Sequence, residues 1–193
     1  LFGYNSTEPN LLLPRQPGGT AIIAGRRLTP YCSSTRGSDL HNLGRWTWLR
    51  IGLPNRRFTT FISAYRPCVP STEVALTTYE QHRRFFNADD IDPGNNSSSI
   101  WKVYFITHTA NDTIILGIDA NQDVCSRRFQ SFLTATRLKN AILNLHGPKS
   151  PSTQARNSTS TPIDGLFCSE GISPLAAGYR AYGEGSTSDH VQV

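Results

Sequence analysis

The sequence contains no methionine, few cysteines and no long apolar run. Its four cysteines stand far apart, at Cys32, Cys68, Cys125 and Cys168. No Cys-x-x-Cys or cysteine/histidine spacing suggests zinc, and a disulfide framework is not expected in a chain of this size, so we expect reduced, intracellular thiols. No stretch approaches the ~18 apolar residues of a membrane span. Because even position 1 is not Met, we expect the chain to be cut from a longer protein.

Acidic residues are also scarce. The 193 residues include 14 Asp and Glu against 19 Lys and Arg, which leaves a formal net charge of +5. The arginines fall in scattered pairs and form no long basic run. This mild basic balance permits a phosphate-bearing partner without demanding one. The length and the 37% hydrophobic content suit a single domain, residues 1–193, with its own core.

The most informative stretch of the sequence is residues 113–124. Its β-branched and aliphatic residues predict a strand that is buried on both faces. The run stops at Gly117-Ile118-Asp119-Ala120-Asn121. Side chains alternate along a strand, so Asp119 and Asn121 are expected on the same side. A carboxylate and an amide at the end of a buried strand indicate either a functional site or a polar turn.

The rest of the chain mixes strands with helices, which indicates an α/β or α+β fold. We expect strands at residues 20–24, 46–51, 58–65 and 162–168, the second and third forming an antiparallel hairpin. We expect helices at residues 72–86, 100–108 and 129–146. Residues 100–108 also suit a strand, but their Ser-rich start favours a helix cap. We expect loops at residues 1–19, 25–44, 88–99 and 148–161.

Three polar signals combine into a candidate site. Asp119-x-Asn121 ends one strand, Asp164 interrupts another, and Asp189-His190 follows a Gly-rich loop. Each alone has a structural explanation, such as a turn or a surface histidine. Together they supply a base for water, an amide to hold the water or phosphate, and an imidazole oriented by a carboxylate. Asp189 could bind a hard cation such as Mg²⁺.

Together with other motifs, these residues resemble the endonuclease/exonuclease/phosphatase superfamily, which has the DNase I-like fold. The resemblance runs from Gly18 to His190, and its closest appearance is to the endonucleases of non-LTR retroelements. Five partial matches occur in the family's order: Gly18-Gly19-Thr20-Ala21-Ile22, Ser63-Ala64-Tyr65-Arg66-Pro67, Gly117-Ile118-Asp119-Ala120-Asn121, Pro162-Ile163-Asp164-Gly165 and Ser188-Asp189-His190. In the fourth, Gly165 replaces the family's aromatic residue.

The resemblance implies a four-layer sandwich of two mixed β-sheets flanked by helices. It also implies Mg²⁺-dependent phosphodiester hydrolysis, with Mn²⁺ as a substitute, acting on nucleic acid and by preference on DNA. It implies these roles: Asp119 and Asn121 activate water, Asp164 orients His190, Asp189 holds the metal, and Tyr65, Thr153 and Asn157 contact the substrate. No membrane and no obligate protein partner are expected, and the location is expected to be intracellular, with the nucleus as one site.

The family's first strands, one of which carries the main metal-binding Glu, have no counterpart upstream of Gly18. Glu8 does not follow an apolar run and is not accepted as that ligand. We therefore expect the domain to lack its N-terminal strands, and two hypotheses stay open. The chain is part of a DNA-nicking endonuclease, or it is an inactive relic or nucleic-acid-binding module whose arginines contact phosphates.

Overall fold

The computed structural model describes residues 2–4, 19–25, 27–39, 43–52, 57–69, 77–87, 112–147, 152–153, 161–176 and 178. Its strands are β1 (Phe2–Tyr4), β2 (Thr20–Ile22), β3 (Cys32–Ser38), β4 (Trp46–Gly52), β5 (Phe58–Tyr65), β6 (Thr113–Asp119), β7 (Leu138–Asn140) and β8 (Asp164–Ser169). Its helices are α1 (Thr78–Asn87), α2 (Arg127–Thr136) and α3 (Ala141–His146), and a 3₁₀ turn spans Thr29–Tyr31. No helix in these ranges is long and apolar enough to cross a membrane.

Six of the strands form one mixed sheet, in the order β3-β4-β5-β6-β8-β7. Strands β5 and β6 are parallel, and every other neighbouring pair in this sheet is antiparallel. The predicted hairpin is confirmed, since Trp46 to Gly52 pair with Ala64 to Phe58. Strands β1 and β2 form a separate antiparallel sheet, and β2 lies against β4 and β5. The α/β fold class is therefore confirmed.

The pleat of the large sheet separates two buried faces. On one face Ile62, Leu116 and Phe167 pack with Phe129 and Leu133 of α2 in the main core. On the other face of β4, Leu49 and Ile51 are also buried. Because both faces are covered, β6 reads as a near-continuous apolar run, whereas β4 and β5 also bury Thr47, Thr59 and Thr60.

Two segments expected to be loops contain strands. Residues 32–38 form the edge strand β3, whose residues are all half-buried or exposed and, apart from Cys32, are Ser, Thr, Arg or Gly. Because this strand buries little apolar surface, its sequence shows no alternation of apolar and polar residues. Its pairing with β4 stabilises it as a strand. Likewise, Phe2–Tyr4 lies in the predicted loop 1–19 but pairs with β2.

The prediction of a single helix over residues 129–146 is wrong, because the helix ends at Arg137. Arg137 adopts a left-handed backbone with φ of 55° and ends α2. Leu138–Asn140 then joins the sheet edge beside β8, and the Asn140 side chain accepts hydrogen bonds from Ile142 N and Leu143 N to begin α3. The helical spacing of apolar residues continues across the break, so periodicity alone cannot show it.

Other boundaries shift by a few residues. Helix α1 begins at Thr78, within the predicted range 72–86, and β8 runs from Asp164 to Ser169. The predicted helix at 100–108 and the predicted loop at 88–99 lie outside the described residues. At Gly165 a Cβ would lie 2.5 Å from Cζ of Phe167, whose side chain is fully buried, so a larger residue at this position would require Phe167 to move.

Candidate active site at the ends of three strands

Three of the predicted site residues lie side by side across the sheet. Tyr65 ends β5, Asp119 ends β6 and Asp164 begins β8, and the register pairs Tyr65 with Asp119 and Asp119 with Asp164. Directly paired residues on neighbouring strands present their side chains on the same face. The tertiary structure thus brings together residues that are separated by 54 and 45 positions in the sequence.

The two carboxylates form the closer kind of antiparallel pair. Asp119 O accepts from Arg66 N, and Asp164 N donates to Thr153 Oγ1, so these two residues exchange no ladder hydrogen bond. In such a pair the Cα atoms lie about 4.5 Å apart and the side chains are correspondingly close. Asp164 is buried and Asp119 half-buried. Carboxylates on opposite residues of such a pair supply oxygen ligands of the kind that a hard cation binds.

Asn121 does not continue the strand as predicted, because β6 ends at Asp119. It adopts a left-handed turn with φ of 45°. Its backbone N–H donates to Asp119 Oδ1 over 3.1 Å, a local turn in which the aspartate side chain replaces a backbone acceptor. Its side-chain Nδ2 donates to Arg66 O over 2.7 Å, which fixes the direction of the amide. Asn121 therefore stays beside Asp119, but it is placed by a turn and not by strand alternation.

Tyr65 stays a phenol in this setting. Its pKa is raised, chiefly by burial and then by the negative charge of Asp119, while hydrogen bonds from the Thr78 side chain and the Cys68 backbone oppose the rise in part. A protonated phenol can donate a hydrogen bond to a phosphate oxygen and cannot serve as a base near neutral pH. This agrees with the predicted role in binding, which stays a prediction.

Thr153 supports the start of β8. Its side chain is fully buried, and its hydroxyl oxygen accepts from Ile163 N at 2.9 Å and Asp164 N at 3.0 Å. These contacts hold the backbone that carries Asp164. The substrate contact expected for Thr153 stays a prediction, and Asn157, Asp189 and His190 lie outside the described residues.

Two other buried carboxylates are engaged by arginines. Asp39 receives two hydrogen bonds from the Arg45 side chain, and Asp112 receives two from Arg50, both 2.7 Å, and one from Thr60. Burial alone would raise the pKa of Asp112, but the bonds from Arg50 and Thr60 outweigh it and lower that pKa. Within the described ranges no three His, Cys, Asp or Glu side chains cluster as metal ligands. Among the described residues at the end of β6, the register and the turn place Asp119 beside Asp164 and Asn121.

Sequence reasoning missed a buried histidine on α1. His82 is 1% exposed, and its Nε2 lies 3.2 Å from Leu43 O, while Nδ1 has no hydrogen-bond partner among the described residues. Burial, followed by the positive charge of Arg45, lowers the pKa of His82 to about 4. A lone histidine in an amphipathic helix gives no sequence signal of such burial, because its neighbours along the chain do not determine what covers it.

Because the pKa of His82 is lowered on folding, we expect the stability of the protein to depend on pH. The pKa of His82 is near 6.5 in the unfolded chain and about 4 in the folded chain. Between these pH values His82 is therefore protonated in the unfolded chain and neutral in the folded one. The free energy of unfolding should therefore fall as the pH drops from 6.5 to 4, by about 3 kcal/mol from this group. Urea unfolding of the wild type and of His82→Gln across this range measures the difference. Glutamine can still donate to Leu43 O but does not titrate, so parallel pH profiles would contradict the assignment.

No protein-family model and no curated protein matches the chain. Among solved structures it is similar to the AP endonuclease LMAP from Leishmania major, with a TM-score of 0.53, 11% identity, and coverage of 77% of this chain and 53% of that one. It is also similar to an endonuclease/exonuclease/phosphatase from Beutenbergia cavernae, with a TM-score of 0.53, 13% identity, and coverage of 76% and 37%.

The chain thus spans about half or less of the length of these two proteins. The endonuclease domain of TRAS1, a telomere-specific non-LTR retrotransposon, also matches, with 17% identity over 77% of this chain and 61% of that one. Its TM-score of 0.40 is too low to support an argument. The two likenesses at 0.53 confirm the expected fold, that of the DNase I-like endonuclease/exonuclease/phosphatase proteins, and the specific resemblance to retroelement endonucleases stays a prediction.

Proposed function

We propose that this chain is the catalytic part of a metal-dependent phosphodiester hydrolase that nicks DNA, of the kind that retroelements encode. The observation that carries the proposal is the Asp119–Asp164 pair, two directly opposite carboxylates at the end of the sheet with Tyr65 and Asn121 beside them. The fold shared with nucleases and phosphatases supports the same chemistry. The net charge of +5 suits a polyanionic substrate.

Magnesium fits the residues present. It takes oxygen ligands, keeps several waters, and is bound through one or two carboxylates together with substrate phosphates. Asp189 would hold it, as the resemblance implies, while Asp119 and Asn121 act on the attacking water. When bound, the ion would act as a Lewis acid on the phosphate. Manganese, which also prefers oxygen ligands, would substitute.

Four side chains of this protein then have distinct roles in the hydrolysis, and one of them orients a fifth, His190. Asp119 accepts a proton from the attacking water, and Asn121 orients that water or the phosphate. Tyr65 donates a hydrogen bond to a phosphate oxygen, in keeping with its raised pKa. Asp164 orients His190, whose imidazolium stabilises the charge that develops on phosphate oxygens.

Supercoiled-plasmid nicking tests the proposal. The chain is incubated with plasmid DNA while Mg²⁺ is raised from zero to tens of millimolar, with EDTA and Mn²⁺ as parallel arms. Single-stranded RNA and bis(p-nitrophenyl) phosphate are tested beside it to compare substrate classes. We expect nicking that saturates with Mg²⁺, stops in EDTA, and exceeds turnover of the other two substrates.

Two outcomes would contradict this function. Turnover confined to RNA or to the small ester would overturn the choice of DNA. Salt-sensitive DNA binding with no turnover of any substrate at any metal concentration would favour the alternative, an inactive nucleic-acid-binding module of the same fold.

A further inference from the structure

The turn that carries Asn121 is held from outside by a second segment of the chain. Asn121 has a left-handed backbone with φ of 45°, which is unfavourable for residues other than glycine, although asparagine tolerates it better than most. Its local contact is the bond from Asn121 N to Asp119 Oδ1, an atom of the carboxylate that the proposed function assigns to chemistry. A turn that depended on this bond alone would change whenever the carboxylate changed partners.

The backbone of Arg66, the first residue after β5, makes two hydrogen bonds to this turn. Arg66 N donates to Asp119 O over 2.9 Å, and Arg66 O accepts from Asn121 Nδ2 over 2.7 Å. The first bond continues the parallel pairing of β5 with β6. The second fixes which end of the Asn121 amide points away from Arg66, namely its oxygen.

The side chain of Arg66 adds a third contact, which the ladder does not require. Its Nη1 donates to Oε1 of Gln122, the residue that follows Asn121. Arg66 and Gln122 are half-buried. The guanidinium therefore reaches past Asn121 and closes a ring of contacts around it, from Arg66 through Asp119 and Asn121 to Gln122.

We propose that Arg66 and Gln122 are positioning residues, and that their side-chain contact fixes the Asn121 amide relative to Tyr65 and Asp119. This inference rests on the proposed function for its consequence, since the amide oxygen matters only if it binds water, phosphate or metal. Partners that orient such groups typically change activity by about 10- to 100-fold when they are removed. Arg66 and Gln122 act through Asn121 and need not touch the substrate.

Two substitutions at Gln122 separate positioning from packing. Gln122→Leu keeps the approximate volume but removes the acceptor, whereas Gln122→Glu keeps an oxygen that Arg66 can bind. We expect Gln122→Leu to lower kcat for DNA nicking about 10-fold or more, with KM within twofold, and Gln122→Glu to recover most of that loss. Gln130→Leu is the matched control, because it removes a side-chain bond to Val124 O outside the ring of contacts.

A second readout does not depend on turnover. The side-chain NH₂ of Asn121, assigned in NMR spectra with an Asn121→Ser variant, should exchange with solvent slowly in the wild type and in Gln122→Glu. It should exchange several-fold faster in Gln122→Leu. Unchanged exchange in Gln122→Leu would overturn the positioning role, and so would a rise in KM with kcat preserved, which would make Gln122 a substrate contact. If the wild type hydrolyses nothing, the proposed function fails, and the exchange rates still decide whether the contact positions Asn121.

Discussion

Replacing Asp119 by asparagine is expected to lower phosphodiester hydrolysis by about 10²- to 10⁴-fold, because the amide cannot accept the proton of water. The fold should tolerate the change. The introduced side chain retains an oxygen that can accept from Asn121 N, and the backbone bond from Arg66 N to the carbonyl of this position is untouched. The substitution also removes one of two like charges that face each other across β6 and β8, so the free energy of unfolding should stay within about 1 kcal/mol of the wild type.

Asp123→Asn is the matched control for this experiment. Asp123 lies in the same segment, and its Oδ1 accepts from Cys125 N over 2.8 Å, so the substitution makes the same change of charge in a similar local turn. We expect nicking within about threefold of the wild type, since Asp123 is not part of the proposed chemistry. Plasmid nicking and urea unfolding of both variants provide the comparison. Activity retained in Asp119→Asn, or lost equally in Asp123→Asn, would refute the role of Asp119 as base.

Replacing Asp39 by alanine is expected to destabilise the protein by about 3–5 kcal/mol, because it leaves a buried guanidinium without its carboxylate. The side chains of Asp39 and Arg45 are 0% and 4% exposed, and they are joined by bonds of 2.5 and 2.8 Å. Arg45 O in turn accepts from Tyr65 N over 2.7 Å, so the loss should loosen the end of β5. Urea unfolding followed by tryptophan fluorescence measures the effect, with buried Trp46 next to Arg45 as a local reporter.

An exposed ion pair in the same protein provides the comparison. Lys139 and Glu170 lie 3.4 Å apart with side chains 54% and 64% exposed, and Glu170→Ala should cost less than about 1 kcal/mol. The double variant Asp39→Leu/Arg45→Met should recover most of the stability, since removing both charges leaves none unpaired. A cost for Asp39→Ala no larger than that for Glu170→Ala would show that the buried pair does not hold this part of the fold.

The strands that could be predicted are those with a buried face. The residues of β4, β5 and β6 are mostly aromatic, aliphatic or β-branched because both sides of the central sheet are covered, and this composition is visible in the sequence without knowledge of the neighbouring strands. The edge strand β3 buries little apolar surface and shows no apolar–polar alternation in the sequence, so its formation depends on pairing with β4. The break at Arg137 could not be predicted for a related reason: Leu133 and Leu138 are buried on either side of it, so the apolar spacing continues across the break.

The sequence by itself determined which chemistry is available: an aspartate and an asparagine at the end of a buried strand, and a second aspartate at the start of another. It also determined the fold class, through the apolar runs. The tertiary structure alone decided that Asp119 and Asp164 face each other, that Asn121 is placed by a turn, and that Arg66 reaches Gln122. Strand register and loop contacts depend on packing between residues far apart in the chain, and local propensity carries no information about such pairings.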